Sequence, residues 1–336
     1  MDPHAPPLRG SRPPKGAATG RGAARRPDGA LPSAAEALLR RLEWTALRRL
    51  DGLLQGNYRT LMRGSGLDLA DLREYQSSDD VRHIDWNVTA RLQVPHVRVF
   101  TEDREMSACF VVDRSASMDF GSGLRTKRDL QAEFVALVAR LLVGHGNRVG
   151  ALLGGEGNAS WIPARGGRAH VLHLLHRVQA PAPPAAGQPA HANLLGPWLT
   201  TAARALRQRS TVFVVSDFIS PTGWERPLGQ LAERHDVVAV RLTDPLEQSL
   251  PDIGLITLRD AESGEQLLVD THDRLFRQRF ARAAAAREAA LRTHFTAAGV
   301  DALELSTADD LADALLRFSE LRRRRVRQRG APSRAA

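Results

Sequence analysis

Short apolar runs rich in β-branched residues alternate with longer segments of helical periodicity along most of the chain. The runs are ACFVVD (108–113), NRVGALLG (147–154), TVFVVSDF (211–218) and DVVAVRLTD (236–244). Segments such as TKRDLQAEFVALVARLLVGHG lie between them. Strands that are apolar on both faces and alternate with helices are typical of a buried parallel sheet. The pattern predicts an α/β fold with a mostly parallel, Rossmann-type sheet covered by helices on both faces.

The regions before and after these runs carry different patterns. Residues 33–56 predict a helix, because Ser33 and Glu36 have capping-box spacing and the leucines share one face. We expect this helix to pack on its own domain, with a membrane-surface helix as the alternative. Residues 57–105 show little helical periodicity, and HVRVFTED alternates like a strand, which indicates a small β-rich segment. Residues 255–270 predict a hairpin that could pair with it.

The end of the chain predicts a helix from about 273 to 297, a strand DALELS, and a final helix that begins near Thr307 or Asp309. The domain organisation that follows is a disordered basic leader at 1–32 and an N-terminal helix with a small β-rich segment at 33–105. The α/β domain covers 106–325 with the 255–270 hairpin as an insertion, and a basic disordered tail covers 326–336. A linker rich in Pro and Ala lies inside the α/β domain at 179–190.

Composition narrows the class of protein. Hydrophobic residues make up 43% of the 336 and charged residues 25%, as in folded globular domains. There is one cysteine, Cys109, and no apolar run is long enough to cross a bilayer, so we expect a cytoplasmic protein without a transmembrane segment. The net charge of +9 comes largely from the two ends of the chain. We therefore do not expect specific nucleic-acid recognition. A protein that binds nucleic acids or membrane surfaces through its basic ends is kept as a less favoured alternative.

Oxygen-bearing side chains follow two of the predicted strands. Asp113 ends the first strand and is followed by Ser115 and Ser117, and Asp217 ends TVFVVSDF. Ligands of parallel sheets bind at the carboxyl ends of strands, where these side chains would converge if the strands are neighbours. Carboxylate and hydroxyl oxygens suit Mg²⁺, or alternatively Ca²⁺ or Mn²⁺, rather than Zn²⁺. The alternative is a loop in which the same groups only bond to the backbone.

The stretch DRSAS resembles the metal-ion-dependent adhesion site of von Willebrand factor A domains. The longer stretch GSGLDLADLREYQSSDDVRHIDWNVTARLQVPHVRVF is similar to the signature of the domain of unknown function 58 family, which precedes a von Willebrand A-like core. The resemblance departs from the family pattern at Ser78, where the family has Gly. It departs again at HANLLG, which offers Ala192 and Asn193 where the adhesion site expects Thr. The fold implied is von Willebrand A-like, and the ion site implied lacks one ligand.

Charged residues are dense within the signature itself. We interpret them as a structural latch or partner-binding segment held by Arg–carboxylate pairs, with Trp86 as an apolar anchor. The residues of this segment are Arg73, Tyr75, Asp79, Asp80, Arg82, Asp85, Trp86 and Arg91. A catalytic carboxylate pair at Asp79 and Asp80 is a weaker alternative, because adjacent strand residues point to opposite faces.

Two further features have simple interpretations. The spacing of His170, His173 and His176 could form a metal stripe, but a polar helix face is the favoured interpretation. Cys109 lies inside a predicted strand, where a buried inert thiol is expected.

The resemblance implies a bacterial, non-enzymatic binding or adaptor protein. Proteins of this family are implied to act with MoxR-type AAA+ ATPases in the assembly, activation or metal insertion of client complexes. The alternative from another class is a Mg²⁺-dependent hydrolase that holds its ion with Asp113 and Asp217.

Overall fold

The computed structural model describes residues 33–42, 72–76, 81, 84–98, 107–155, 159–180, 195–261 and 264–330. The strands in chain order are β1 (Leu72–Glu74), β2 (His96–Arg98), β3 (Ser107–Val112), β4 (Arg148–Leu153), β5 (Ser160–Arg165), β6 (Thr211–Ser216), β7 (Asp236–Thr243), β8 (Leu255–Arg259), β9 (Gln266–Asp270) and β10 (Asp301–Ser306). The helices are α1 (Ala34–Leu42), α2 (Trp86–Leu92), α3 (Lys127–Gly144), α4 (Arg168–Gln179), α5 (Leu195–Ala205), α6 (Glu225–Arg234), α7 (Pro245–Gln248), α8 (Arg274–Ala297) and α9 (Leu311–Gly330). A 3-10 turn covers Ala116–Asp119.

The central sheet has six strands in the order β10-β7-β6-β3-β4-β5. Strand β5 runs antiparallel to β4, and the other neighbouring pairs are parallel. Numbered within this sheet alone, the order is 3-2-1-4-5-6, which is that of a doubly wound α/β fold. The predicted mostly parallel sheet is confirmed. The chain reverses its direction of winding between β3 and β6, so ligands are expected at the carboxyl ends of these two strands.

Both faces of the sheet are buried, as the apolar runs predicted. Alternate residues of β3 point to opposite sides, so Phe110 joins one core and Val111 the other. On the first side α1, α3, α4 and α9 cover the sheet, and the ring of Phe110 stacks on that of Phe213 with centroids 5.4 Å apart. On the second side the cover comes from α5, α6 and the end of α8.

The N-terminal helix packs on the domain rather than lying free. Ser33 and Glu36 form the predicted capping box, because each backbone amide bonds to the other side chain at 3.2 Å. Leu38, Leu39 and Leu42 are buried in the same core as α3 and α4. This confirms packing on its own domain for residues 34–42, and residues 43–56 of the predicted helix lie outside the described residues. The boundary placed at residue 106 therefore divides a shared core.

Two small sheets accompany the central one. Strands β8 and β9 form the predicted hairpin, with Leu255 opposite Asp270. Strands β1 and β2 pair with each other in a separate two-stranded sheet. The expected pairing between the 57–105 segment and the hairpin is not found among the described strands.

Two elements differ from the sequence expectation. Residues 86–92 form the helix α2, because Asp85 accepts hydrogen bonds from the backbone amides of Asn87 and Val88 at 3.0 and 3.2 Å and so caps its start. The stretch SWIPAR forms the edge strand β5, which the sequence did not predict because it contains Pro163 and only Ile162 is buried.

The last helix also differs at both ends. It begins after Asp310, whose side chain accepts from the amide of Asp313 at 3.0 Å, and not at Thr307 or Asp309. It continues to Gly330, so residues 326–330 are helical and not part of a disordered tail. Arginine and glutamine are good helix formers, and no glycine or proline interrupts the segment before Gly330. Within the described residues, no helix has the length and apolar character needed to cross a membrane.

Candidate binding site at the carboxyl ends of the central strands

Asp113 and Asp217 follow two strands that are direct neighbours in the sheet. Val112 of β3 lies opposite Val215 of β6, and the amide of Asp113 donates to the Val215 carbonyl at 3.0 Å. Both carboxylates therefore lie at the same edge, at the point where the winding reverses. Each is almost completely buried.

The loop after β3 brings its hydroxyls to the same place. Oδ1 of Asp113 accepts from the amide of Ser115 at 2.9 Å, and this turn sets the Oγ atoms of Ser115 and Ser117 3.1 Å apart. Oδ2 of Asp113 accepts from the hydroxyl of Ser216 at 2.6 Å. The structure thus places Asp113, Ser115 and Ser117 together as the alternation suggested. Their role as ion ligands stays a prediction.

The pKa of the Asp113 carboxyl group is shifted upward from its ordinary value of 3.8. Burial is the main cause and the nearby charge of Asp217 the second, and together they raise the pKa of Asp113 to about 6. Hydrogen bonds from Ser216 and Ser115 favour the carboxylate and limit the rise. The chain therefore places one carboxylate where a second negative charge is costly.

Lys127 is the residue of this site that sequence reasoning missed. It is the first residue of α3 and its side chain is fully buried. Its Nζ lies 2.7 Å from Oδ2 of Asp217 and 2.6 Å from Oε1 of Glu247. The other oxygen of Asp217 accepts from the amide of Ile219 at 3.0 Å. The candidate ion ligand Asp217 is therefore already paired with a cation of the chain.

Glu247 is held by the backbone of Asp244, a further acidic residue that the sequence did not single out. Asp244 and Glu247 form a capping box at the start of α7, in which the amide of Asp244 donates to Oε2 of Glu247 at 3.0 Å. Oδ2 of Asp244 accepts from the amide of Ser122 at 2.9 Å and from the hydroxyl of Thr307 at 2.6 Å. These bonds join the ends of β7 and β10 to the loop before α3.

Burial and hydrogen bonding shift the pKa of Asp244 in opposite directions. Burial alone would raise its pKa, but the hydrogen bonds from Ser122, Thr307 and the amide of Leu246 outweigh it and hold the pKa below its usual range. The charged form of Asp244 is thus favoured in the folded protein, and its hydrogen bonds join separate segments around the site.

Arg114 lies between the candidate ligands but points away from them. Its guanidinium donates to the carbonyls of Gly154, Arg177 and Ala180 at 3.1 to 3.3 Å. The last two are carbonyls at the end of α4, which lack partners inside the helix. Arg114 therefore fastens α4 to the loop that carries the site.

The proposed latch is only partly described. Asp79, Asp80 and Arg82, together with the side chain of Arg73, lie outside the described residues. The amide of Tyr75 donates to the Pro95 carbonyl at 2.8 Å, and Asp85 caps α2. Arg91 is exposed in α2.

Trp86 does not anchor this segment. Its side chain is 70% exposed, because it occupies the first position of α2 and this helix has no buried residue. The expectation of an apolar anchor at Trp86 is therefore wrong. Val97 of β2 is buried and pairs with Ile84 through an isolated antiparallel backbone bridge.

The histidines of α4 and Cys109 of β3 are the remaining candidate residues. His173 and His176 are exposed on α4, and a ring nitrogen of His170 lies 2.8 Å from the Val149 carbonyl, as on a polar helix face. Cys109 is buried in β3, and burial raises its pKa to about 12, so the predicted inert thiol is confirmed.

The fit of a divalent ion can be judged from the groups present. Two serine hydroxyls and a carboxylate are of the right type for Mg²⁺. Among the described residues, no three His, Cys, Asp or Glu side chains are arranged to share an ion. The positions expected to supply Thr, 192 and 193, lie outside the described residues. The described residues therefore supply only part of the ligand set expected for Mg²⁺.

A divalent ion bound directly to Asp217 would lie close to the ammonium of Lys127, and charges of the same sign repel each other. Because Lys127 already lies on Asp217, the residues do not fit an ion held directly by Asp217.

A comparison with protein families gives a match to "Protein of unknown function DUF58" over residues 71–290. The chain belongs to this family. "Uncharacterized protein Rv1480" of Mycobacterium tuberculosis and "Uncharacterized protein Mb1516" of Mycobacterium bovis are each 41% identical over 290 residues, covering 86% of this chain and 90% of theirs. "Uncharacterized protein MAV169" of Mycobacterium avium is 39% identical over 169 residues, covering 48% of this chain and 94% of its own.

Solved structures with a similar course of the chain are distant in sequence. An aerotolerance-related membrane protein from Bacteroides fragilis is 13% identical, covers 66% of this chain and 99% of its own, and gives a TM-score of 0.41. The SpRpn10 VWA domain is also 13% identical, covers 63% and 94%, and gives a TM-score of 0.33.

Proposed function

We propose that this DUF58 protein is a non-enzymatic adaptor that binds a protein partner with the face at the carboxyl ends of its central strands. The partner we propose is a MoxR-type AAA+ ATPase, as the family resemblance implies, and the setting is the bacterial cytoplasm. The adaptor would present the ATPase with a client complex for assembly or activation.

The observation that carries the proposal is a pair of exposed apolar side chains in two loops that are bonded to the buried polar centre. Phe120 is 39% and Ile219 37% exposed. The ring of Phe120 lies 6.0 Å from Nζ of Lys127, and Ile219 donates its amide to Asp217. Exposed apolar residues beside a rigid polar centre are typical of protein contact surfaces.

The rigidity of this face supports a recognition role. Asp217, Asp244 and Glu247 each receive hydrogen bonds from groups far along the chain, so the loops that carry Phe120 and Ile219 have fixed anchors. A surface that is already ordered loses little conformational entropy when a partner binds.

Binding of the purified MoxR-type ATPase from the same organism tests the proposal, measured by biolayer interferometry with ATP. Ile219→Ser should weaken binding by about tenfold or more, since a central apolar contact contributes over 1 kcal/mol. Leu268→Ser is the matched control, because Leu268 is also exposed but lies on the β8–β9 hairpin. We expect less than a twofold change there. Absence of binding by the unaltered chain, or equal weakening by both variants, would contradict the proposal.

The hydrolase alternative has its own readout. Release of phosphate from a generic phosphomonoester that needs Mg²⁺ and disappears in Asp113→Asn would establish an enzyme and overturn the adaptor. Loss of binding to the ATPase after removal of residues 1–32 alone would instead assign recognition to the basic leader.

A further inference from the structure

Lys127 is a buried cation whose positive charge the adaptor proposal does not explain. Its side chain has no solvent exposure, although lysine is among the residues least often buried. It also starts a helix, where the backbone dipole disfavours a positive charge. A lysine in a position that burial and the helix dipole both disfavour indicates that a positive charge is required there.

The requirement comes from the two carboxylates that Lys127 joins. Nζ lies between Oδ2 of Asp217 and Oε1 of Glu247. The other oxygen of each carboxylate accepts a hydrogen bond from a backbone amide. Those amides belong to Ile219 and Asp244. All four carboxylate oxygens therefore already have a hydrogen-bond donor from the chain.

The position of the ammonium is fixed by the start of α3. Thr126 and Asp129 form a capping box there, and the Lys127 amide donates to the Phe120 carbonyl at 2.9 Å. The ring of Phe120 lies 6.0 Å from Nζ. The main chain of Lys127 is thus fixed, and the ring of Phe120 lies near its ammonium.

We infer that Lys127 is the resident cation of the strand-end site, tethered to the chain in place of a divalent metal ion. It neutralises Asp217, one of the two carboxylates expected to hold an ion. The site would then keep its shape without metal, and partner binding there would not depend on metal. This inference concerns the charge of the site and does not rest on the identity of the partner.

Removing the ammonium while keeping the side-chain volume tests this directly. Lys127→Met should leave Asp217 and Glu247 without a cation at the strand ends, where the charge of Asp217 already acts on Asp113, and this surplus of negative charge should favour a metal ion. We expect calorimetry to show Mg²⁺ and Mn²⁺ binding at least about 100-fold tighter than in the unaltered chain. The melting temperature of Lys127→Met should rise by several degrees with metal.

A second buried cation provides the matched control. Arg322 is equally buried and joins Asp236 and Asp301 at 2.7 and 2.8 Å, but these carboxylates lie at the opposite ends of their strands, away from the serines. Arg322→Met should lower the melting temperature, and metal should not restore it. If Lys127→Met does not fold, Lys127→Met/Glu247→Gln removes the surplus charge and is measured in the same way.

The outcomes are distinct. Metal-dependent stabilisation that appears only in the Lys127 variants, and disappears when Asp113→Asn is added, supports the inference. Millimolar or tighter Mg²⁺ binding by the unaltered chain overturns it, and so does a folded Lys127 variant that binds no metal. Neither result decides whether the ATPase binds, which the interferometry measures separately.

Discussion

Gly154, at the end of β4, lies directly against the indole ring of Trp198 in α5. A Cβ atom added to Gly154 would fall 2.5 Å from the ring atoms Cδ2 and Cε3. The same residue donates its amide to the Val112 carbonyl at 2.8 Å and accepts from Arg114 at 3.1 Å. The backbone therefore cannot move away from the ring without disturbing the loop that carries Asp113.

We expect Gly154→Ala to destabilise the protein by about 2 kcal/mol, the usual cost of overpacking a rigid core position. Gly123→Ala is the control, because no atom lies within 4 Å of an added Cβ there. The measurement is chemical denaturation followed by circular dichroism. Equal stability of the two variants would show that the ring of Trp198 moves freely.

Asp113→Asn should change how stability depends on pH. The folded pKa of Asp113 is about 6 against an ordinary value of 3.8, mainly because of burial. The folded chain therefore holds this proton more tightly than the unfolded chain between these values. Its contribution is fully present below about pH 4 and is lost as the pH rises through 6, a change of roughly 3 kcal/mol.

Asparagine is neutral throughout, so the difference in unfolding free energy between the unaltered chain and the variant should fall by that amount from pH 4 to 7. Asp252→Asn is the control. The hydrogen bond from His272 is the main reason that the pKa of Asp252 is lowered, so its contribution is lost only below about pH 4 and this difference should stay nearly constant from pH 4 to 7. A flat difference for Asp113→Asn would contradict the assignment.

The sequence predicted the parts of the fold that depend on local pattern. β3 and β6 are continuous β-branched runs with both faces buried, so their positions could be predicted from composition alone. β5 could not, because Pro163 interrupts it and its exposure alternates as in an edge strand. The start of α2 depends on one side chain, Asp85, rather than on an apolar stripe.

The site was predictable to the same extent. Asp113 and Asp217 could be found as residues that end strands. Lys127 could not, because its partners are 90 and 120 positions away and meet it only through the topology of the sheet. The available signal was a lysine at the first position of a capped helix, which is unfavourable for an isolated helix and therefore suggests a tertiary partner.

Thr307→Val should destabilise the protein by about 2 kcal/mol, the typical contribution of a hydrogen bond to a charged group. The hydroxyl of Thr307 donates to Asp244 at 2.6 Å and helps to keep the pKa of Asp244 low. A group with a lowered folded pKa stabilises above its unfolded pKa, and this contribution is lost as the pH falls through the folded value.

The cost of Thr307→Val should therefore be larger at pH 7 than under acid conditions that protonate Asp244. Thr293→Val removes an exposed hydroxyl that bonds only within α8, and it should change stability little. Thermal unfolding at several pH values compares the two. A cost for Thr307→Val that does not vary with pH would assign it to packing rather than to the carboxylate.

Arg114→Met should destabilise the end of α4 by about 3 kcal/mol, because it leaves buried carbonyls without a donor. These are the carbonyls of Gly154, Arg177 and Ala180. Arg114→Lys should restore little, since one ammonium cannot reproduce the fixed fork of a guanidinium. Hydrogen exchange should accelerate in the last turn of α4 in both variants.

Arg292→Met is the control, because Arg292 pairs with Glu304 on the surface and such pairs contribute under about 1 kcal/mol. Full protection of α4 in Arg114→Lys would mean that charge, and not geometry, holds the helix to the loop.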